Sequence, residues 1–158
     1  MSKIEYRNVE NLRVYNLLCD IHISIWEMTK TWPKEERYEL TSQVLRSSNS
    51  TPAQLAEKNS DRHVKNRIEG VNRSRGEAGE SIHHLYIAMK KGYITDDVFA
   101  EFKEKFGECI RMLNGLEKNL EVTLSGSGNL YAKEPEITYQ ANFPTGYPEE
   151  LTPEADQP

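Results

Sequence analysis

The feature that most constrains this fold is a repeat of apolar residues spaced alternately three and four positions apart. The repeat is clearest in the series Phe99, Phe102, Phe106, Cys109, Leu113, Leu116 and Leu120. Because an α-helix has about 3.6 residues per turn, this spacing places the whole series on one helix face, as in helices that pack side by side. Thr95 precedes the repeat and is the predicted N-cap of this helix. Asp96 and Asp97 come directly after Thr95 and place favourable negative charge in the first turn.

Three earlier segments show the same spacing and predict three more helices, at about 9–31, from about Pro33 onward, and at about 60–91. Their predicted core residues are Val14, Leu18, Ile21, Ile25 and Met28, then Leu40, Val44 and Leu45, then Val64, Ile68, Val71, Ala78, Ile82, Leu85 and Met89. Four amphipathic helices joined by short turns predict an all-α, antiparallel up-down four-helix bundle.

Prolines and caps predict where the helices begin, bend and end. Proline disfavours helical geometry in the residue before it, so Pro33 is expected to open the second helix. Pro52 removes a backbone donor and is expected to kink or interrupt that helix. Ser60 is the predicted N-cap of the third helix, and Gly92 is its predicted C-terminal stop.

The third helix contains Gly70, Gly76 and Gly79, and Arg75 interrupts its otherwise apolar face. Each glycine lowers helix propensity by about 1 kcal/mol relative to alanine. The glycines indicate either a close approach of a neighbouring helix or a locally loose helix, and the sequence leaves both alternatives open.

Charge is distributed unevenly along the chain, which has a net charge of -5. Residues 1–122 carry 19 basic and 19 acidic side chains, whereas residues 123–158 carry one lysine, six acids and five of the seven prolines. This predicts a four-helix domain at 1–122 and a disordered acidic tail at 123–158. The tail is expected to shield a basic surface, to recruit a basic partner or only to increase solubility.

Nothing in the sequence predicts a membrane segment or a leader. No stretch approaches the roughly 18 consecutive apolar residues of a membrane-spanning helix, and the N-terminus lacks the apolar part of a signal peptide. Cys19 and Cys109 lie within apolar helical patterns, which favours reduced, buried thiols. We therefore expect a cytoplasmic protein with no membrane partner.

A basic stripe is the main candidate for a binding site. Residues 46–75 hold seven basic and three acidic side chains. The predicted nucleic-acid contacts are Lys58, Arg62, Lys65, Arg67, Arg73 and Arg75. Clustered lysine and arginine neutralise phosphates and supply most non-specific affinity for nucleic acid. The alternative is a solvated helix face on which Glu57, Asp61 and Glu69 pair with these cations.

The first helix has a second apolar face, formed by Leu12, Tyr15, Cys19 and Trp26. A helix with two apolar faces needs a cover on each, either from its own bundle or from another chain. We therefore predict that these four residues form an oligomer interface.

Other chemistry finds little support. Glu80 and His83 have the E-x-x-H spacing of di-iron bundles, but such sites need two copies of that motif and further glutamates. Trp32 and Tyr38 are expected to cover the end of the bundle or, less favoured, to stack on bases. No G-x-S-x-G sequence or Gly-rich phosphate loop is present. We expect a non-enzymatic protein with no metal and no cofactor.

Several segments closely resemble one family. They are NVENLRVY at 8–15, MTKTWPKEERYELTSQVLRSS at 28–48, STPAQLAEK at 50–58, SRGEAGE at 74–80, KKGYITDDVFAEF at 90–102 and MLNGLEKNL at 112–120. Together they are similar to the four-helix-bundle family of 23S ribosomal RNA intervening-sequence proteins. The chain departs from the family pattern at Gln54, usually asparagine, and at Lys58, usually glycine.

The resemblance implies a homopentameric ring and no enzymatic activity. Related bundles include the accessory variability determinant of diversity-generating retroelements, a pentamer that binds a reverse transcriptase and its RNA through a basic surface. The first hypothesis is therefore a ring that binds RNA or DNA and a protein partner, such as a reverse transcriptase. The alternative is a structural scaffold for protein partners that binds no nucleic acid.

Overall fold

The computed structural model of the chain describes residues 8–126, all of whose regular structure is helical. Helix α1 spans Arg13–Thr29, α2 Leu40–Lys58, α3 Val64–Lys90 and α4 Asp96–Leu124. Helix α1 packs against α2 and α4, α2 packs against α3, and α3 packs against α4. The predicted antiparallel four-helix bundle is therefore confirmed.

The core contains the apolar faces that the sequence predicts. The buried members are Val14, Leu18, Ile21 and Ile25 of α1, Leu40 and Val44 of α2, Val64, Val71, Ala78, Ile82 and Leu85 of α3, and Phe102, Phe106, Cys109, Leu113, Leu116 and Leu120 of α4. Burial of each large apolar side chain contributes about 1.5–3 kcal/mol, so these faces dominate the stability of the bundle. The six α4 residues are called the α4 core face below.

The predicted first helix, 9–31, is too long at both ends. A short 3-10 helix at Val9–Asn11 precedes α1, and the Asn8 side chain caps it by accepting a hydrogen bond from the backbone of Glu10. Leu12 then adopts an extended conformation (φ -82°, ψ 119°) before α1 begins. This break separates Leu12 from the helical register of the residues that follow.

The connection between α1 and α2 closes one end of the bundle. Lys34–Tyr38 form a 3-10 helix, so α2 begins at Leu40 and not at Pro33 as predicted. The buried carboxylate of Glu36 accepts hydrogen bonds from Lys91 Nζ at 2.5 Å, Tyr93 OH at 2.7 Å and the Leu40 amide at 3.3 Å. These donors, Lys91 first, hold the pKa of Glu36 below its ordinary value.

Helix α2 continues through Pro52, so the predicted interruption is wrong, while the predicted bend stays a prediction. Around this position α2 and α3 contact each other through buried hydroxyl groups. Ser74 Oγ donates to the Thr51 carbonyl at 2.7 Å, and Ser81 Oγ donates to Ser47 Oγ at 2.9 Å. We call Ser47, Thr51, Ser74 and Ser81 the hydroxyl seam.

Gly70 lies at a close approach of α3 to α2. A Cβ atom at Gly70 would lie 2.6 Å from Lys58 Cβ and 3.0 Å from the Gln54 carbonyl oxygen. At Gly76 and Gly79 a Cβ would meet nothing within 4 Å. Of the three glycines of α3, Gly70 alone confirms the predicted close approach of a neighbouring helix.

The turns around α3 follow the sequence in part. Helix α3 begins at Val64, so the predicted cap at Ser60 is wrong. The organising residue is Asp61, whose carboxylate accepts from the His63 amide at 2.7 Å and from Asn66 Nδ2 at 2.9 Å. Gly92 follows α3 with φ +76°, and Thr95 Oγ1 accepts from the Val98 amide, so both of those predictions are confirmed.

Helix α4 extends to Leu124, two residues past the predicted boundary at 122. Residues 127–158, which make up most of the predicted tail, lie outside the described residues. None of the helices within 8–126 combines the length and the apolar character needed to cross a membrane.

Candidate functional site

Three of the predicted nucleic-acid contacts lie close together in sequence at one end of the bundle. Lys58 is the last residue of α2, Arg62 lies in the turn, and Lys65 lies in the first turn of α3. Arg62 and Lys65 are exposed, and within residues 8–126 neither forms an ion pair. The half-buried Lys58 has its Nζ 3.7 Å from Glu57 Oε1. We call these three residues the basic cluster.

Charged side chains set the electrostatics at this end of the bundle. The C-terminus of α2 and the N-terminus of α3 both lie within the basic cluster, so the opposite ends of the two helix dipoles offset each other there. Asp61 is the acid inside the turn, and both of its oxygens accept hydrogen bonds there. These bonds, the one from the His63 amide first, lower the pKa of Asp61, which therefore remains ionised. The cluster thus has a small local excess of positive charge.

Arg67 corrects the predicted stripe, because its side chain is only 6% exposed. It lies beside a small cavity shared by α2, α3 and α4, whose other lining residues are Leu55, Asn59, Val71, Leu116 and Leu120. Arg67 comes three residues after Val64 and four before Val71, so its position is in register with the core. This spacing was the available signal, and the prediction of Arg67 as a nucleic-acid contact is wrong.

Arg75 and Arg73 are both paired within the bundle, but differently. Arg75 Nη1 lies 2.7 Å from Glu117 Oε2 and 2.5 Å from Asn114 Oδ1, which ties α3 to α4. Glu117 therefore offsets its charge, while the Arg75 side chain stays 34% exposed, and Arg75 stays a predicted contact outside the basic cluster. Arg73 pairs with Glu69 at 2.6 Å on the surface, where such pairs contribute only about 0.3–0.5 kcal/mol. Arg73 stays a predicted contact.

A second exposed surface lies on α1. Ile23 is 54% exposed and Trp26 44% exposed, and Tyr15 and Cys19 are partly buried on the same helix face. Lys30 Nζ lies 3.5 Å from the centre of the Trp26 ring. We call Tyr15, Cys19, Ile23 and Trp26 the α1 face. Ile23 was missed from the sequence, although its position eight residues after Tyr15 indicates the same face.

Leu12 does not belong to the α1 face. It is 1% exposed and lies in the core of the bundle. Its extended backbone precedes α1, so helical spacing does not describe the direction of its side chain. The prediction of Leu12 as an oligomer contact is therefore wrong, whereas Tyr15, Cys19 and Trp26 stay predicted contacts.

Burial favours the neutral form of three titratable groups, Cys109, Cys19 and His22. Burial raises the pKa of Cys109 to about 12 and also raises that of Cys19. Burial lowers the pKa of His22, whose Nδ1 lies 2.8 Å from Ser48 Oγ. These shifts favour a thiol over a thiolate and an uncharged imidazole, which suits packing more than acid-base chemistry.

The remaining candidates lie apart from these surfaces. His84 Nε2 lies 3.3 Å from Glu80 Oε1, and within residues 8–126 no three His, Cys, Asp or Glu side chains are placed to hold a metal ion. Trp32 is buried and its ring centroid is 5.8 Å from that of Tyr93, so it covers the Glu36 end of the bundle. Tyr38 is 83% exposed.

The architecture and its exposed surfaces define a small antiparallel four-helix bundle with a paired polar interior. A family model described as 23S rRNA-intervening sequence protein matches residues 10–115, and the chain belongs to this family. No curated protein matches the chain. The relation to retroelement accessory proteins stays a prediction.

The fold is also similar to that of a solved structure from Bacteroides thetaiotaomicron. That crystal structure is described as a protein with unknown function from the S23 ribosomal protein family. The two share 22% sequence identity with a TM-score of 0.61, over 66% of this chain and 98% of that one. At this level of identity the likeness concerns the fold alone.

Proposed function

We propose that this protein is a non-enzymatic bundle that assembles into a homopentameric ring through the α1 face and binds nucleic acid through the basic cluster. The observation that carries the proposal is the exposure of Ile23 and Trp26 on one face of a helix whose opposite side is already buried. An exposed apolar face of this kind indicates a contact with another chain. The family resemblance supports a second copy as that chain.

Assembly is tested by sedimentation velocity of the full chain at several concentrations. Replacing Ile23 and Trp26 together by glutamate is expected to give a folded monomer, because two charges at a desolvated interface are strongly unfavourable. Ser24→Glu is the matched control, since Ser24 is exposed on α1 but away from the α1 face. A pentamer that survives the double substitution contradicts the assignment of this face, and a monomeric wild type contradicts assembly itself.

Nucleic-acid binding is the second part of the proposal. A basic cluster repeated around a ring multiplies a modest local charge into an extended positive field. Phosphate contacts make affinity depend on salt, with a slope in log K against log salt of about -0.9 for each phosphate neutralised on duplex DNA. The proposal therefore predicts steep salt dependence for a structured RNA and for a DNA duplex.

The test replaces Arg62 and Lys65 by glutamate and measures RNA affinity by fluorescence anisotropy across a salt series. Loss of two phosphate contacts is expected to reduce the salt slope by about two and to weaken binding at low salt by at least about tenfold. The matched control replaces Lys34 and Lys103, two exposed lysines elsewhere on the bundle, by glutamate. Equal effects of the two double substitutions would contradict a specific role for the cluster.

A protein scaffold without nucleic acid is the second candidate function. It is favoured by the burial of Arg67, which removes one cation from the predicted stripe, and by the pairing of Arg75 with Glu117, which offsets the charge of another. A pentamer that ignores RNA at every salt concentration supports this candidate. For the protein partner, the resemblance favours a reverse transcriptase. Co-elution of the ring with a retroelement reverse transcriptase on gel filtration tests that choice, and separate elution contradicts it.

A further inference from the structure

Helix α4 ends at the same end of the bundle as the basic cluster. Leu120 of α4 lines the same small cavity as Asn59 and Arg67. Asn59 directly follows Lys58, and Arg67 comes two residues after Lys65. Helix α4 ends at Leu124, about one helical turn further on. The described part of the chain therefore ends at Gly126, at the same end of the bundle as the α2–α3 turn, and residues 127–158 follow it in sequence.

The charge of this segment is opposite to that of the cluster. Residues 127–158 carry one base, Lys133, and six acids. The acids are Glu134, Glu136, Glu149, Glu150, Glu154 and Asp156. The first of them comes eight residues after Gly126, and an extended chain of that length spans up to about 27 Å. A helix with side chains is about 10–12 Å across, so the cluster is within reach.

We propose that residues 127–158 bind the basic cluster of their own chain through these carboxylates and compete there with nucleic acid. The competition rests on the proposed function, whereas the contact itself does not. The exposed lysines and arginines at the other end of the bundle are poorer partners. Helix α4 is 29 residues long, so they lie about 40 Å away along its axis.

The expected strength of the contact follows from its tethering. A short linker gives an effective concentration of about 1 mM, so even a contact with an intrinsic dissociation constant of about 0.1 mM is formed most of the time. Such a contact weakens the apparent affinity for nucleic acid by about tenfold. Because its charges are exposed, it is screened as the Debye length shortens with added salt.

The contact is tested directly on the full chain without nucleic acid. A zero-length carbodiimide joins a lysine amine to a carboxylate only when the two are in contact, and mass spectrometry identifies the joined pair. We expect tail carboxylates joined to Lys58 and Lys65 at low salt, with loss of these products at high salt. Lys34 and Lys103 serve as internal controls. Absence of the products, or equal yields at the control lysines, overturns the proposal.

Competition is tested with a full-length variant in which the six acids become glutamine or asparagine. Its affinity for a structured RNA is expected to exceed that of the wild type by about tenfold at low salt, and the difference is expected to shrink as salt rises. An unchanged affinity in a wild type that binds RNA overturns the competition. If neither protein binds RNA while the crosslinks form, the proposed function fails and the tail contact stands.

Discussion

The hydroxyl seam and the α4 core face hold the same bundle together in different ways. Along the seam, small side chains let α2 and α3 approach closely, and buried hydroxyls satisfy one another and the backbone. The α4 core face contributes two phenylalanines and three leucines, and fills volume between the helices. One region depends on short distances and paired polar groups, and the other on the area of apolar surface removed from water.

The difference predicts opposite tolerances. The α4 core face should tolerate exchange among apolar side chains of similar volume, because volume-conserving changes usually cost less than about 1.5 kcal/mol. The contact between α2 and α3 should resist any added atom at Gly70, and the hydroxyl seam should tolerate loss of a single hydroxyl. All four tests below use denaturant unfolding at one fixed protomer concentration, because assembly changes apparent stability.

The largest effect is expected at Phe106, which is 1% exposed in the α4 core face. Phe106→Ala leaves a cavity and is expected to lower the free energy of unfolding by about 3–5 kcal/mol. Phe106→Leu, which keeps most of the apolar volume, is the control and should cost far less. Similar losses for the two variants would mean that this face does not act by filling volume.

The next largest effect is expected at Gly70. Gly70→Ala places a methyl group against Lys58 Cβ and the Gln54 carbonyl, and should lower stability by about 1–3 kcal/mol despite the better helix propensity of alanine. Gly76→Ala is the matched control, because a Cβ there meets nothing and should raise stability by about 0.5–1 kcal/mol. Stabilisation by both variants would contradict the close approach.

A smaller effect is expected from one hydroxyl of the seam. Ser74→Ala removes the donor to the Thr51 carbonyl, and the net contribution of such a hydrogen bond is about 0.5–1.5 kcal/mol. Ser24→Ala is the control, since Ser24 Oγ bonds only the carbonyl of its own helix at the surface. Its change should stay within about 0.5 kcal/mol. No difference between the two would show that the buried hydroxyls do not hold the seam.

The smallest effect concerns the pH dependence of stability at the Glu36 end. The pKa of Glu36 in the folded chain lies below its ordinary value of 4.5, so its ionised form stabilises the fold above that pH. This contribution is lost as pH falls through the folded-state pKa. Glu36→Gln should be less stable than the wild type at neutral pH, and the gap should narrow in acid. A gap that stays constant contradicts the paired carboxylate.

These two regions also show how much the sequence could predict. The α4 core face and the bundle were predictable because large apolar residues repeat at helical spacing. The caps at Thr95 and Gly92 were predictable because threonine and glycine favour the two ends of a helix. The hydroxyl seam and the close approach at Gly70 were not, because serine and glycine give no periodic signal and only Gly70, of three similar glycines, meets another helix. The burial of Arg67 was missed because its charge outweighed its register with Val64 and Val71 in the prediction.

The candidate site was predictable in part for the same reason. Sequence charge located Arg62 and Lys65, which are exposed, but could not separate them from Arg75, whose partner Glu117 lies 42 residues away on another helix. Long-range ion pairs of this kind depend on the packing of α3 against α4. Leu12 was misplaced because the end of a helix, and with it the end of a register, depends on backbone geometry that spacing does not encode.

The two free cysteines differ in exposure, so their alkylation rates report on two different parts of the bundle. Cys19 lies partly exposed on the α1 face, so an alkylating reagent is expected to reach it slowly if the proposed assembly covers that face and quickly if it does not. Cys109 is fully buried with a pKa of about 12, so it reacts only when the bundle opens. One labelling time course on the unmodified chain therefore follows global opening at Cys109 and, at Cys19, tests the proposed cover of the α1 face, without an introduced probe.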